Sequence, residues 1–174
     1  MSHRVYVTLG SNVDPERNLP AGLALLRPYG LTAISPVYET APVGTRDPRR
    51  FLNAAALVMT DRPPGEFKQV VCRGIEAQLG RTRCPGDKYA PRTIDLDIAL
   101  WDDAVLDLAG SPVPDPDILR HLHVARPLAD LAPDLVHPID GRTLADIAAH
   151  LSAKAPEAPG PRLRTGLKGW TLSC

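Results

Sequence analysis

Residues 92–100 read RTIDLDIAL. From Thr93 onward, polar and apolar side chains alternate, which is the period of a β-strand with one wet face and one buried face. The alternation predicts a strand over 93–100, with Ile94, Leu96 and Ile98 on one side and Asp95 and Asp97 together on the other. Working backward, residues 81–91 are polar, basic and glycine-bearing, so they are expected to form a loop. Residues 66–79 place Phe67, Val70 or Val71, Ile75 and Leu79 at helical spacing, and Gly80 supplies the stop. Before that helix, FLNAAALVMT at 51–60 is an apolar strand closed by Pro63-Pro64-Gly65.

The N-terminal half repeats this alternation of elements. Val5 to Leu9 reads as a strand ended by a Gly10-Ser11-Asn12 turn. Leu19, Leu23 and Leu26 mark a helix within 15–28, and Pro20 falls early enough to be accepted there. Residues 31–38 form a further strand, which Pro36 confines to an edge or a bulge. The run 39–50 is a proline- and glycine-bearing loop.

The resulting order is strand–helix–strand–strand–helix–strand. It predicts a ferredoxin-like α+β sandwich, a mainly antiparallel sheet covered by helices on one face. Trp101 to Leu108 is expected to fold back on the last strand through an Asp102-Asp103 turn. Residues 110–117 carry prolines at 112, 114 and 116 and are expected to be irregular; short helices follow over 118–131 and 144–151. The domain is expected to span 1–151, with 152–174 a loosely attached tail.

The bulk properties fit one soluble domain. The 174 residues are 44% hydrophobic and 23% charged, with 20 basic against 20 acidic side chains. A neutral total disfavours a nucleic-acid coat but permits a local basic pocket. Cys72, Cys84 and Cys174 are odd in number and widely spaced, which is the pattern of a reducing compartment. The N-terminus carries no signal-peptide pattern and no segment is long enough to span a bilayer. A cytoplasmic protein is expected, with no nucleic-acid or membrane partner.

Asp95 and Asp97 are the sharpest chemical signal. Two carboxylates on one strand face repel unless a cation lies between them, and magnesium prefers such hard oxygens together with substrate phosphates. The alternative for a lone Asp-x-Asp is a strand edge facing water. Arg81, Arg83, Lys88 and Arg92 nearby favour the phosphate reading, because a guanidinium fork holds phosphate oxygens in fixed directions. Phe51 and Asn53 share a parity and so a side of their strand, where an amide could read a ring edge and the phenyl could cover a ring face. Core packing and turn bonding are their ordinary alternatives. Glu76 is by default a solvated helix residue, and His121 and His123 lack an evident third ligand for zinc.

Several blocks together resemble the 6-hydroxymethyl-7,8-dihydropterin pyrophosphokinases of folate biosynthesis. They are Leu9 to Asn12, Ser35 to Thr40 followed by Val43-Gly44, Phe51 to Asn53, Ile75-Glu76, Leu79 to Arg83, Ala90 to Asp97, Pro127-Leu128 and Ala132-Pro133. The Pro-Arg-Thr-Ile-Asp-Leu-Asp block is the most specific.

The resemblance implies magnesium-dependent transfer of pyrophosphate from ATP to the pterin alcohol, with two ions per site and AMP released. It implies Asp95 and Asp97 as metal ligands, and Arg81, Arg92, Asp95 and Asp97 as the catalytic set. ATP would meet Glu76, Arg83, Tyr89, Arg92, Ile98, Arg120 and His121. The pterin would meet Thr40, Ala41, Val43, Phe51, Asn53, Asp95 and His123. A monomer or weak homodimer is expected. The chain departs from the family in its late loop, where Asp115 follows Pro114 in place of a histidine, and where His121 and His123 take the positions of an arginine and a phenylalanine. Those changes leave open a non-catalytic nucleotide- or pterin-binding homologue, or a diphosphokinase for a related alcohol.

Overall fold

The computed structural model describes residues 1–41, 49–82, 91–154 and 160–172. Its main sheet has the order β5-β1-β4-β3-β8, with β2 also pairing β4. The strands are β1 (His3–Ser11), β2 (Leu31–Ile34), β3 (Val37–Thr40), β4 (Phe51–Thr60), β5 (Asp95–Trp101) and β8 (Arg162–Arg164). All the pairings in this sheet are antiparallel. The path from β1 to β5 crosses the sheet in the ferredoxin-like manner expected from the order of elements.

β1 runs past the expected turn. Gly10 pairs with both Asn53 and Asp95, so Gly10 and Ser11 belong to the central strand. The expected strand over 31–38 is two strands broken at Ser35-Pro36. Proline has no N–H for the ladder, and Ser35 holds the break by accepting at its hydroxyl from the Ala55 N–H (2.8 Å). Between α1 (Pro15–Leu26) and β2 stands Gly30, with φ 95°. A Cβ there would lie 2.0 Å from the Met59 carbonyl oxygen, so only glycine fits.

The expected helix over 66–79 is composite. α2 (Pro64–Glu66) runs into a π-turn (Phe67–Cys72) and then α3 (Arg73–Gln78). Periodicity alone does not separate this widened turn from an α-helix.

Helices cover both sheet faces, not one. On the first face Val5, Val7, Leu9, Ala54, Ala56, Val58, Leu96 and Ile98 pack with Leu19, Leu26, Phe67, Val71 and Ile75. On the second, Tyr6, Ala55, Ala99 and Leu100 pack with Leu128 and Ala129 of α4 (Leu122–Leu131) and with Leu144 and Ile147 of α5 (Leu144–Lys154). These two helices shield only one end of that face. The other end stays open, and the cavity described below lies there.

Two further expectations are corrected. Trp101 to Leu108 does not return along β5. Instead β6 (Leu106–Asp107) pairs with β7 (Pro112–Val113) in a separate small sheet. The turn at Asp102, with φ 45°, directs the chain away, and the Asp102 carboxylate accepts from the Arg4 N–H. The C-terminal stretch is no loose tail either: β8 pairs with β3, and Trp170 donates its indole N–H to the Ser35 carbonyl at 2.9 Å. No described helix is long and apolar enough to cross a membrane.

Candidate active site

A cavity of about 430 Å³ opens on the uncovered end of the second sheet face. Its floor is built by three neighbouring strands. β1 contributes Thr8 and Gly10, β4 contributes Phe51 and Asn53, and β5 contributes Asp95 and Asp97. The register explains the grouping: Gly10 lies between Asn53 and Asp95, and Thr8 lies opposite Asp97. Directly paired residues share a face, so one sheet surface carries all of them. Leu96 and Ile98 lie in the first-face core.

Thr40 and Ala41 form one rim at the end of β3, and Asp115, Asp117, His121, His123 and Val124 form the facing wall. Asn53 donates its side-chain amide to the Thr40 hydroxyl at 2.9 Å. Gly10 keeps the floor low beside this pair, since a Cβ there would meet the Asn53 Oδ1 at 3.4 Å. The rings of His121 and His123 stack with centroids 5.3 Å apart. Burial, with His121 nearby, pushes the His123 imidazole down to about 4.

The acidic end is held from behind. Arg81 donates to Asp95 Oδ1, and Arg92 donates to Asp95 Oδ2. Arg81 also donates to Glu76 Oε1 at 2.6 Å, and Arg73 donates to Glu76 Oε2 at 2.9 Å. The same Glu76 Oε1 accepts the Leu96 N–H at 3.0 Å, which fixes the strand between the two aspartates. Burial pushes the Glu76 carboxyl up to about 7.

Ser11 and Asn12 fasten the adjoining segment. Ser11 donates its hydroxyl to the Thr93 carbonyl at 2.5 Å, and Asn12 Oδ1 accepts the Arg92 N–H at 2.7 Å. Both side chains are buried. The Gly-Ser-Asn block thus anchors the backbone that presents Arg92.

Asp97 differs from Asp95. Among the described residues, none donates to its carboxylate. Burial pushes its carboxyl up to about 6, with Asp95 and then Asp115 adding negative charge. Asp115, also raised by burial, accepts at its carboxylate from the Asp117 N–H. Asp95 and Asp97, side by side on one strand face, present hard oxygens that a divalent cation would satisfy, and Asp115 and Asp117 add negative charge on the facing wall. A hard cation, and not a soft one, is what this donor set fits. No group of three or more His, Cys, Asp or Glu side chains arranged to hold a metal occurs among the described residues. Water and substrate oxygens would complete the coordination of an ion held by the aspartate pair.

Of the residues expected in the site, Thr40, Ala41, Phe51, Asn53, Arg92, Asp95, Asp97, His121 and His123 line the cavity. Arg81 and Glu76 stand behind it. The Ile98 side chain does not reach it: strand alternation turns Ile98 into the opposite core. Arg120 also points elsewhere, two-thirds exposed, with Asp117 at 3.9 Å. Val43, Arg83, Lys88 and Tyr89 lie outside the described residues. Sequence reasoning missed Thr8, Gly10 and Asp117 as lining residues. Thr8 and Gly10 are visible only once β1 is known to run between β4 and β5.

Fold and site together define an α+β protein with a small-molecule cavity on one sheet face, acidic at one end and amide-lined at the other. Residues 6–133 match the family model described as 7,8-dihydro-6-hydroxymethylpterin-pyrophosphokinase (HPPK), and the chain belongs to this family. A curated relative from Pseudomonas aeruginosa, named 2-amino-4-hydroxy-6-hydroxymethyldihydropteridine pyrophosphokinase, is 40% identical over 86% of this chain and 92% of its own length. A Bacillus subtilis protein of the same name is 38% identical over 75% of this chain and 79% of its own length. Among solved structures, Plasmodium falciparum HPPK-DHPS, wild type with pteroate, shares the fold. Its TM-score is 0.73 at 13% identity, covering 94% of this chain and 48% of that one. The chain therefore spans about half the length of that structure, and the likeness is one of fold.

Proposed function

We propose that this chain transfers the pyrophosphoryl unit of ATP to the hydroxymethyl oxygen of 6-hydroxymethyl-7,8-dihydropterin, giving AMP and the pterin diphosphate in folate biosynthesis. The observation that carries this reading is the single cavity in which the Asp95–Asp97 pair faces the Asn53–Thr40–Phe51 end. One end suits a phosphate chain with its cations, and the other suits a flat ring rich in amide-like edges. Membership of the family supports the same assignment.

In the reaction, a bond forms between the hydroxymethyl oxygen and the β-phosphorus. The bond from that phosphorus to the α–β bridging oxygen breaks, AMP leaves with that oxygen, and the hydroxyl proton is released to bulk solution. Asp95 and Asp97 would hold magnesium, which when bound would supply charge neutralisation and orientation for the triphosphate. Arg81 and Arg92 keep Asp95 in place, and Arg92 also stands in the cavity to meet phosphate oxygens. Asn53, fixed by Thr40, offers its carbonyl oxygen and remaining N–H to the ring edge. Phe51 and the stacked His121–His123 pair narrow the space and exclude water, which would otherwise compete as nucleophile.

Mass spectrometry of the complete ATP, magnesium and pterin mixture tests the proposal. Equal amounts of AMP and diphosphorylated pterin are expected. ADP with a monophosphorylated pterin, or no product, refutes it. Asp115 on the cavity wall favours one second reading, a protein that binds these ligands without turning them over, and ligand binding with no AMP would identify it. Action in the cytoplasm as a monomer or weak homodimer belongs to the same proposal. Cell fractionation and light scattering test those two points, and a secreted protein or a stable higher oligomer would contradict them.

A further inference from the structure

The stretch 160–172 lies beyond the family match, which ends at residue 133, and touches none of the cavity. It is nevertheless fastened to the strand that carries the Thr40 rim. β3 has only four residues and three register pairs with β4. A strand this short at a sheet edge has little to hold it. β8 covers that edge, pairing Val37 with Arg164, Tyr38 with Leu163 and Glu39 with Arg162.

Side chains of β3 alternate, and each face is tied to a different element. Toward the cavity face, the Tyr38 hydroxyl donates to Asp130 of α4. On the opposite face, Glu39 is gripped twice. Arg164 Nη1 reaches its Oε2 at 2.7 Å, and Arg50 Nη1 reaches its Oε1 at 2.8 Å. Arg164 extends its second nitrogen to Glu16 of α1 at 3.3 Å. Below it, Arg27 donates to the Thr171 carbonyl at 2.6 Å, and Trp170 is packed on the core. The arginine therefore reaches β3 from a segment that is itself fixed.

We propose that the C-terminal strand is a positioning element for the amide-lined end of the cavity: Arg164, acting through Glu39 and β3, sets where Thr40 stands against Asn53. This rests on the pterin reading above for its choice of ligand, but the geometry it asserts does not. Arg164 touches no substrate. Its effect is selective because β3 carries the ring-binding rim, whereas the aspartate pair is on β5, at the far side of the sheet.

The test uses the full chain with Arg164→Ala, Arg164→Lys and, as a control on the other face of β8, Leu163→Ala. Dissociation constants for 6-hydroxymethyl-7,8-dihydropterin and for magnesium–ATP are measured separately, with the Asn53 side-chain amide followed by NMR. For Arg164→Ala the pterin constant is expected to rise about fivefold, the scale of one partly exposed ion pair, with the ATP constant changed by less than about twofold. The Asn53 amide resonance shifts in Arg164→Ala and returns in Arg164→Lys, while thermal unfolding of Arg164→Ala stays close to that of the control. Equal losses for both ligands, no loss of pterin affinity, or an unmoved Asn53 amide overturns the proposal. If the wild-type chain binds no pterin, the functional reading fails, and the Asn53 resonance by itself decides the positioning claim.

Discussion

Asn53 and Thr40 stand on adjacent strands and are joined by a 2.9 Å hydrogen bond from the amide to the hydroxyl. This bond uses one of the two amide N–H groups and leaves the carbonyl oxygen and the other N–H for a ligand. Asn53→Ala is therefore expected to cost ring binding and not the fold. Pterin affinity should fall by at least about tenfold, the scale of one or two lost hydrogen bonds, while the unfolding free energy changes by about 1 kcal/mol. Calorimetric titration beside urea denaturation checks this; a large loss of stability at unchanged pterin affinity would contradict it.

Gly10 gives a steric prediction at the same spot. A methyl group there would stand 3.4 Å from Asn53 Oδ1, an ordinary contact, and would project from the cavity floor. Gly10→Ala should fold with almost unchanged thermal stability and bind the pterin several-fold more weakly. Thermal scans and ligand titration on the one variant separate the two effects.

The half-buried ring of His123 predicts a pH dependence. Its pKa falls from 6.5 to about 4 on folding, with burial the main cause and His121 adding to it against the opposing pull of Asp117. Between those values the unfolded chain binds a proton that the folded chain does not. Stability from this residue therefore rises with pH across the window and is lost as pH falls from 6.5 toward 4. Carboxyls raised on folding, such as Asp97, contribute with the opposite sign in part of the same range, so the comparison must be with a variant. His123→Phe should remove the His123 slope. Urea denaturation of both chains from pH 4 to 7 measures it, and parallel curves would contradict it.

The legible parts of the molecule are those set by local period. The run 51–60 is a strand with the bounds its composition suggests, and the alternation through 92–98 separates the aspartates from Leu96 and Ile98. What was not legible depends on long-range pairing. Thr8 and Gly10 become cavity floor only because β1 runs between β4 and β5. Ser11 and Asn12 act on Arg92 and Thr93, some 80 residues away. The stretch 160–172 is rich in the glycine and charge of a free tail, and its order comes from an unoccupied edge of β3 and from Glu39, neither of which its own sequence shows. The Ile98 side chain lies in the core, as the alternation predicts, so any contact it makes with a ligand would be through its backbone.

Asp97 offers the sharpest test of the site as a whole. Burial, with Asp95 and then Asp115 adding negative charge, raises its carboxyl from 3.8 to about 6, so the ionised form burdens the fold above that pH. Asp97→Asn keeps the shape and removes the charge. At pH 8 the variant should be as stable as the parent or more so, while losing transfer by at least about 100-fold. The decisive measurement is the single-turnover rate of AMP release from ATP and the reduced pterin, taken on Asp97→Asn and the parent side by side at pH 8. A collapse of that rate in a chain that unfolds no earlier supports the account. An unchanged rate contradicts it, because the chemistry would then not run through the acidic end of this cavity.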